Sequence, residues 1–489
     1  MILEWIAKEF DQLHFGDARL DWRLKFCISQ AAAIAESTPD RARSKAALKG
    51  TYRLVDNPKV HMDNILQAHN QSTRERCADH ERVYLAQDTT EFDLTKPRQQ
   101  VVGAGPLRSE KHPGFFYHPL YAITSDGLPL GVVDQVIWTR DPKSLEIPAK
   151  ERIAERQKAC FEEKESWRWL EMLQSGEQIA RSLPETHFVM VADREADIGE
   201  LLCQASDLAK NFDFTIRQNH SHTISDAIDS ATGEPIIATN IDEALSQAQW
   251  RNERIVRVAE RDAPTLPANQ KRAGQQARTP RDAKLRVRAI TATIVGSRRP
   301  GGGKLEDVTI NVVEVLEQNP PPGEEPIRWA LLTTLPVATL EELEEVVDGY
   351  CLRWPVELYF KTCKSGLKVE NMKYETLERY LIAFSMLSVV AWHVEYLTGA
   401  CRSDPEASCE KYFSPEQWIA IMTFLRREAV DPNQAPSMRE FMFSIAKLGG
   451  YIDKKSQGPP GSKTVWRGMS RFAIIVEAYS AFNQSRCGV

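Results

Sequence analysis

The chain lacks the features that mark several classes of protein. Its nine cysteines are an odd number with no C-x-x-C pair and no zinc-spaced histidines, so reduced structural thiols are expected. The first residues lack the basic n-region and small-residue cleavage site of a signal peptide. No apolar run approaches the roughly 18 residues that span a bilayer. We therefore expect a cytoplasmic protein with no membrane partner.

The chain also lacks an excess of basic charge. Its formal net charge is −6, which argues against a protein that coats nucleic acid over its whole surface, although local charge still matters. Hydrophobic residues make up 42% and charged residues 27%, as in an ordinary folded protein. Because 489 residues exceed a single ordinary core, several domains are expected.

A short basic segment lies near the N-terminus, and Asp56 is the only acid within it. Its cationic residues are Arg41, Arg43, Lys45, Lys49, Arg53 and Lys59. Ser44 is placed to cap a helix with the sequence SKAALKGTYRLV, which Asp56-Asn57-Pro58 would end. The segment is either a DNA-binding surface or a solvated helix face.

Strands and helices alternate in the next part of the chain. The apolar run RVYLAQ ends at Asp88, HFVMVA ends at Asp193, and FDFTIR ends at Arg217. Two further runs flank Ser125-Asp126-Gly127 and predict a hairpin. A helix is expected to follow Asp193 over READIGELLCQA. This alternation predicts an α/β core.

The pattern changes at about residue 222. Short β runs and turn-rich stretches continue to about residue 330, with a basic cluster between 271 and 288, and predict an antiparallel insertion with a basic edge. His220 and His222 precede these runs, and without a further ligand nearby in sequence they indicate an ordinary polar strand end. After about residue 375 the helical period dominates.

Two of the acidic residues have both a structural and a functional interpretation. Asp88 fits a strand-end turn and Asp193 fits a helix cap. Both also end strands of one predicted α/β core, and such folds place their sites at the carboxyl edge of the sheet. There the two aspartates would supply hard oxygen ligands for a metal ion.

A third acid, Glu357, lies in a segment with helical spacing. On a continuous helix it would share one face with Arg353, Lys361 and Lys364, as a phosphate-handling metal site requires. A surface row of ion pairs is the alternative. Pro355 disfavours a helix that includes Arg353, and a helix starting at Pro355 would keep only the two lysines beside Glu357.

Three segments resemble the DDE transposases of bacterial insertion sequences, in the Tn-five-like subgroup. They are Asp88-Thr89-Thr90, Asp193-Arg194-Glu195-Ala196-Asp197, and a Y-R-E-K signature formed by Tyr350, Arg353, Glu357 and Lys364. Lesser likenesses extend from Lys45-Ala46-Ala47 to Leu448-Gly449-Gly450, so the resemblance spans nearly the whole chain.

The resemblance implies a multidomain α/β fold. A ribonuclease-H-like catalytic core with an antiparallel β insertion would be flanked by an N-terminal helical DNA-binding domain and a C-terminal helical dimerisation domain. The predicted boundaries are 1–68 for DNA-end binding, 69–375 for the core with its insertion at about 222–330, and 376–489 for dimerisation.

The resemblance also implies cut-and-paste DNA transposition. Asp88, Asp193 and Glu357 would hold two Mg²⁺ ions, for which Mn²⁺ substitutes, to activate water and stabilise the leaving oxygen. The protein would bind terminal inverted repeats, cleave the ends through a hairpin intermediate and join the 3′ ends to target DNA. Its partners would be double-stranded DNA, as element end and as target, and a second copy in a homodimeric synaptic complex on the nucleoid.

The remaining assignments are DNA contacts. Tyr350, Arg353 and Lys364 are assigned to phosphates near the cut, with Lys361 beside them. Trp329 is assigned as a stacking platform for an extruded base, with a core position as the alternative, and Arg217 has the same two interpretations.

End binding is assigned to four residues of the N-terminal basic segment, namely Arg41, Arg43, Lys45 and Arg53. Two alternatives to the whole interpretation are open. One is a ribonuclease-H-like nuclease without strand transfer, and the other is a non-catalytic DNA-binding regulator derived from a transposase.

Overall fold

A computed structural model describes residues 2–33, 44–96, 100–107, 109, 111–145, 147–258, 278–299, 303–453 and 459–487. The helices are α1 (Glu4–Glu9), α2 (Ala18–Ala33), α3 (Lys45–Val55), α4 (Met62–Cys77), α5 (Ala149–Lys158), α6 (Trp167–Ser182), α7 (Gly199–Leu202), α8 (Ile241–Gln247), α9 (Leu340–Cys351), α10 (Trp354–Lys361), α11 (Leu377–Ser403), α12 (Pro415–Arg426), α13 (Met438–Leu448) and α14 (Ser462–Cys487). The strands are β1 (Arg82–Gln87), β2 (Thr90–Asp93), β3 (Gly105–Pro106), β4 (Pro113–Thr124), β5 (Pro129–Trp138), β6 (His187–Ala192), β7 (Phe212–Arg217), β8 (Ile224–Asp229), β9 (Pro235–Ile236), β10 (Asn252–Val258), β11 (Arg281–Ile294), β12 (Val308–Gln318) and β13 (Arg328–Thr333).

The chain divides into two compact units. The first unit combines Met1–Ile153 with Trp354–Val489, and the second unit is Ala154–Arg353. In the first unit, helices from the two ends of the chain pack together, with α4 against α11 and α2 against α14. The first unit therefore forms only when segments that are about 200 residues apart in sequence meet.

The sheet of the first unit is built around β4, which pairs antiparallel with β1, β2 and β5. The hairpin predicted around Ser125-Asp126-Gly127 is confirmed as β4–β5, and Gly127 adopts a φ of 87° in its turn. Phe92 of β2 and Phe115 of β4 pack their rings against Phe384 of α11 at centroid distances of 5.0 and 5.2 Å. These contacts hold α11 against the sheet.

One described helix, α11, is long and apolar enough to cross a membrane. The sequence prediction that no apolar run approaches such a length was wrong for this segment. However, 83% of its most apolar window is buried inside the protein. A helix that is apolar on all sides is typical of a position where other elements surround it.

The second unit combines a parallel pair with an antiparallel sheet. Strands β6 and β7 are parallel, and the order continues β13, β12, β11, β8 and β9, all antiparallel, with β10 also paired to β11. The predicted mixed α/β fold class is confirmed and is consistent with a ribonuclease-H-like core. The strands between residues 224 and 333 supply the antiparallel part.

The basic edge predicted for this antiparallel part was wrong for three of its described cations. Arg281 pairs with Glu317 at 2.7 Å, Arg286 with Glu253, and Arg288 with Glu314 at 2.6 Å. Arg281 and Arg288 are also largely buried. Their acidic partners are not nearby in the sequence, but the fold places these carboxylates of neighbouring strands opposite the cations.

A buried titratable cluster lies among the helices of the first unit. Glu9 accepts hydrogen bonds from Arg76 and contacts His69, and although burial acts to raise the pKa of Glu9, these partners lower it to about 2. His393 stacks on Trp5 with ring centroids 3.8 Å apart, and its Nδ1 has no hydrogen-bond partner among the described residues. Burial lowers the pKa of His393 to about 3.

This environment predicts a pH dependence of stability. The unfolded chain protonates His393 near its ordinary pKa of 6.5, whereas the folded chain keeps it neutral until about 3. The free energy of unfolding therefore decreases as pH falls below 6.5, by about 1–2 kcal/mol at pH 5. In urea unfolding at pH 7 and pH 5, His393→Phe should lose less stability than the wild type. An equal loss in both proteins would contradict this account.

Candidate active-site residues

Asp88 lies directly after β1 and is partly exposed. Its Oδ1 accepts a hydrogen bond from the Thr89 backbone N at 2.8 Å. Behind this turn, Thr89 Oγ1 lies 2.9 Å from Nδ1 of the buried His118, and His118 Nε2 lies 3.1 Å from Gln87 Oε1. Because a glutamine carbonyl oxygen only accepts, His118 donates a hydrogen bond from Nε2, and its Nδ1 accepts one from the Thr89 hydroxyl. This network orients the strand end that carries Asp88.

Lys364 reaches the same strand end. It lies in a π-helical turn, Thr362–Gly366, that follows α10 directly. Its Nζ donates to Thr90 Oγ1 at 2.6 Å and lies 5.3 Å from the centroid of the Phe92 ring. Such π turns re-aim side chains and are frequent at functional sites. Within the first unit, the segment that follows Glu357 is thus bonded to the turn that follows Asp88.

Glu357 lies in the first turn of α10 and is partly exposed. Helix α9 includes Tyr350 and ends at Cys351, whereas α10 begins at Trp354, so Arg353 lies between the two helices. Of the two alternatives, the structure therefore has the helix that begins beside Pro355, and Arg353 does not lie on it. Pro355 is tolerated at the second position of α10 because first-turn N–H groups have no partner within the helix.

Lys361 is the last residue of α10, one helical turn after Glu357, and its side chain is exposed. These two residues keep the spacing of neighbours on one helical face. Lys361 and Lys364 therefore differ in their surroundings, since only Lys364 has a described hydrogen bond to the β1–β2 turn.

Asp193 lies directly after β6 in the second unit and is partly exposed. Its Oδ1 accepts a hydrogen bond from the Glu195 backbone N at 2.9 Å and so caps a 3-10 turn over Arg194–Ala196. Its Oδ2 accepts no hydrogen bond from any residue that the structure describes. One oxygen is thus used in the cap, and the other can bind a ligand.

The continuous helix predicted after Asp193 was wrong. Ile198 is extended, with φ −125° and ψ 130°, and α7 begins only after it. The preceding residue, Asp197, is buried, and its Oδ2 accepts a hydrogen bond from the Asn219 backbone N at 2.7 Å. The hydrogen bond from Asn219, which follows β7, thus lies where the helix is interrupted. The residues next to Asp197 in the sequence do not predict this bond.

Four predicted DNA-contact residues are brought together in the second unit. The charges of Arg217 and Arg353 both act on the Tyr350 hydroxyl, and the Tyr350 ring meets that of Trp329 edge to face at 5.4 Å. Trp329 is only half-buried on β13, so the alternative of a core tryptophan is not what the structure has. This Tyr350 cluster places two guanidinium groups and two aromatic rings side by side.

The electrostatics of the Tyr350 cluster extend to Asp193. Burial raises the pKa of the Tyr350 hydroxyl and the Asp193 charge adds to that effect, while Arg353 and Arg217 oppose it. Burial also lowers the pKa of Arg217, and its Nε has no partner among the described residues. A partly desolvated guanidinium forms strong charge-assisted hydrogen bonds with anionic oxygen atoms.

The N-terminal helix forms as predicted. Ser44 caps α3 by accepting a hydrogen bond from the Ala47 backbone N at 3.1 Å, and the helix ends before Asp56. Lys45 and Arg53 are exposed on it. The other two residues assigned to end binding, Arg41 and Arg43, lie outside the described residues.

The structure also reveals a cluster that the sequence reasoning missed. Asp197, His220 and His222 each place one potential metal-ligand atom within 4.8 Å of the others. The sequence interpretation of the two histidines as an ordinary strand end lacked the third member. Asp197 lies more than twenty residues earlier and meets the histidines only through the fold.

Comparison with known proteins gives matches at both ends and in the middle of the chain. The family model described as "Transposase DNA-binding" matches residues 2–60, "Transposase DDE domain" matches 173–392, and "Transposase Tn5 dimerisation domain" matches 389–488. Among solved structures, a piggyBac transposase synaptic complex with hairpin DNA is similar at 9% identity and a TM-score of 0.31, over 96% of this chain and 81% of that chain.

Proposed function

The chain belongs to the DDE transposases and resembles the Tn5 enzyme, and from this premise we propose that it moves a DNA element by a cut-and-paste route. The family entails DNA binding, dimerisation, divalent-metal use, and cleavage and joining of DNA. In our proposal the protein binds terminal inverted repeats, hydrolyses the ends, forms and reopens a hairpin, and joins the 3′ ends to target DNA.

We assign the metal ligands to Asp88, Asp193 and Glu357. The observation that carries this assignment is that both aspartates follow strands directly and stay partly exposed, as ligand-binding carboxylates must. Their hard oxygen donors suit Mg²⁺, with Mn²⁺ as a substitute. Two such ions, when bound, supply Lewis-acid stabilisation of the attacking and leaving oxygens.

The protein's own groups orient the DNA around these carboxylates. In our proposal Lys364, which Thr90 holds in place, binds a phosphate next to the cut, and Arg353 and Arg217 do the same. Trp329, braced by Tyr350, offers a face on which an extruded base can stack. The exposed Lys361 contributes charge without a fixed position.

We propose that end binding lies in residues 1–68, catalysis in 69–375 with the insertion at about 222–330, and pairing of two copies in 376–489. Lys45 and Arg53 support the first assignment, because both point cationic groups to solvent from a capped helix. The protein would act in the bacterial cytoplasm on nucleoid DNA.

The proposal is tested with a DNA end that already carries a free 3′ hydroxyl. Incubated with the protein, Mg²⁺ and a circular target, this substrate should yield joined products, because joining uses the same carboxylates as cleavage. Cleavage of intact ends without joining would favour a nuclease instead. Binding without either reaction, measured by gel mobility, would favour a non-catalytic regulator.

A further inference from the structure

The cluster of Asp197, His220 and His222 lies wholly within the second unit. His222 Nε2 is 2.7 Å from Asp197 Oδ1, and His220 Nδ1 is 3.8 Å from Asp197 Oδ2. The two imidazole rings are 4.6 Å apart between centroids. From this geometry we propose that the three side chains bind a divalent transition-metal ion, such as Zn²⁺ or Ni²⁺, separately from the three carboxylates assigned to catalysis.

The carboxylate of this cluster is buried in the fold and held in one orientation. The Asp197 side chain is completely buried and is oriented by the Asn219 backbone N, which donates to Oδ2 at 2.7 Å. The His220 backbone N also donates to Oδ2 at 3.4 Å, and a buried carboxylate is stabilised further by positive charge. Among the described residues, no lysine or arginine forms an ion pair with Asp197, and the two imidazoles are its only titratable partners. A divalent cation supplies that charge.

The surroundings of the cluster suit an exchangeable ion. His220 is 61% exposed, which gives a path from solvent, whereas His222 is 12% exposed and fixes the inner edge. Gln218, which is 8% exposed, adds a buried Oε1 with no hydrogen-bond partner among the described residues, while its Nε2 donates to the His220 backbone oxygen at 3.0 Å. The neighbourhood thus contains an additional unused oxygen donor.

The ligand types determine which ion binds. Imidazole nitrogen favours Zn²⁺, Ni²⁺ and Cu²⁺, whereas Mg²⁺ prefers oxygen and keeps its waters. The cluster should therefore take up a transition metal in the presence of excess Mg²⁺. Asp197 follows β6 and the histidines follow β7. A bound metal ion would therefore link the segment after β6 to the segment after β7.

Equilibrium dialysis of the full chain against Zn²⁺, with millimolar Mg²⁺ present, tests the site. The wild type should bind one equivalent of Zn²⁺. His220→Ala and His222→Ala should each bind it with an affinity that is at least tenfold lower. Zn²⁺ on the exposed thiols of Cys160 and Cys351 would survive both substitutions and so does not mimic this result. Circular dichroism verifies that the variants are folded.

His187→Ala is the matched control. His187 Nε2 contacts Asp213 Oδ2 at 2.8 Å in the same unit, so it forms a histidine–carboxylate pair without a second histidine. This variant should bind Zn²⁺ as the wild type does. Equal binding by the wild type and His220→Ala would overturn the proposal, as would equal losses in His220→Ala and His187→Ala. Neither result depends on transposition activity.

Discussion

Glu357→Gln should lower Mg²⁺-dependent cleavage of the element's end by roughly a thousandfold while leaving DNA binding intact. Glutamine keeps the size of the side chain in the first turn of α10 but removes the charge that binds a cation. Cleavage is measured on a labelled end, and binding by gel mobility. Glu378→Gln is the matched control, because Glu378 also lies in the first turn of a helix of the first unit and is exposed.

Asp193→Asn extends this test to the second unit and separates two roles of one side chain. An asparagine Oδ1 can still accept the hydrogen bond from the Glu195 backbone N, so the cap of the 3-10 turn is retained. A comparable loss of cleavage with unchanged thermal stability would therefore identify a metal ligand. Full cleavage in Mg²⁺ by Glu357→Gln would show that the proposed triad is wrong.

Lys364→Met should lower cleavage by about a hundredfold, the second largest effect that we expect. The substitution removes the cation that Thr90 holds next to the Asp88 strand end, which carries one of the proposed metal ligands. Lys361→Met is the comparison, since it removes the same charge from an exposed position one turn after Glu357. Cleavage rates of the two variants are compared at saturating DNA.

The same pair also separates positioning from general electrostatics. Each substitution removes one positive charge, so both should reduce the salt dependence of DNA binding by a similar amount. Only Lys364→Met should in addition slow the chemical step. If both variants cleave at the same rate, the contact between Lys364 and Thr90 has no catalytic role.

Local sequence patterns predicted the elements whose determinants lie within one segment. Ser44 and Asp56 bracket α3 because a cap needs only neighbouring side chains and backbone groups. The hairpin at Gly127 formed because a glycine turn between two apolar runs specifies its own pairing. Pro355 likewise marked the break that separates Arg353 from the helix of Glu357.

Predictions failed where distant residues decide the local structure. The expected helix after Asp193 is interrupted because Asp197 accepts a hydrogen bond from Asn219. The apolar length of α11 can be read in the sequence, whereas only the packing around it shows that it is a core helix. Cations predicted to form a basic edge are paired with carboxylates of adjacent strands.

The sequence by itself determined the mixed α/β class and the family resemblance, and it suggested the three acids that we propose as metal ligands, because strand-end residues and spaced signatures are properties of short segments. Only the tertiary structure decided which groups surround them. His118 lies behind Asp88, Thr90 holds Lys364, and the Tyr350 cluster forms around two arginines. These contacts join residues that are far apart in the chain, and their formation depends on packing that no single segment encodes.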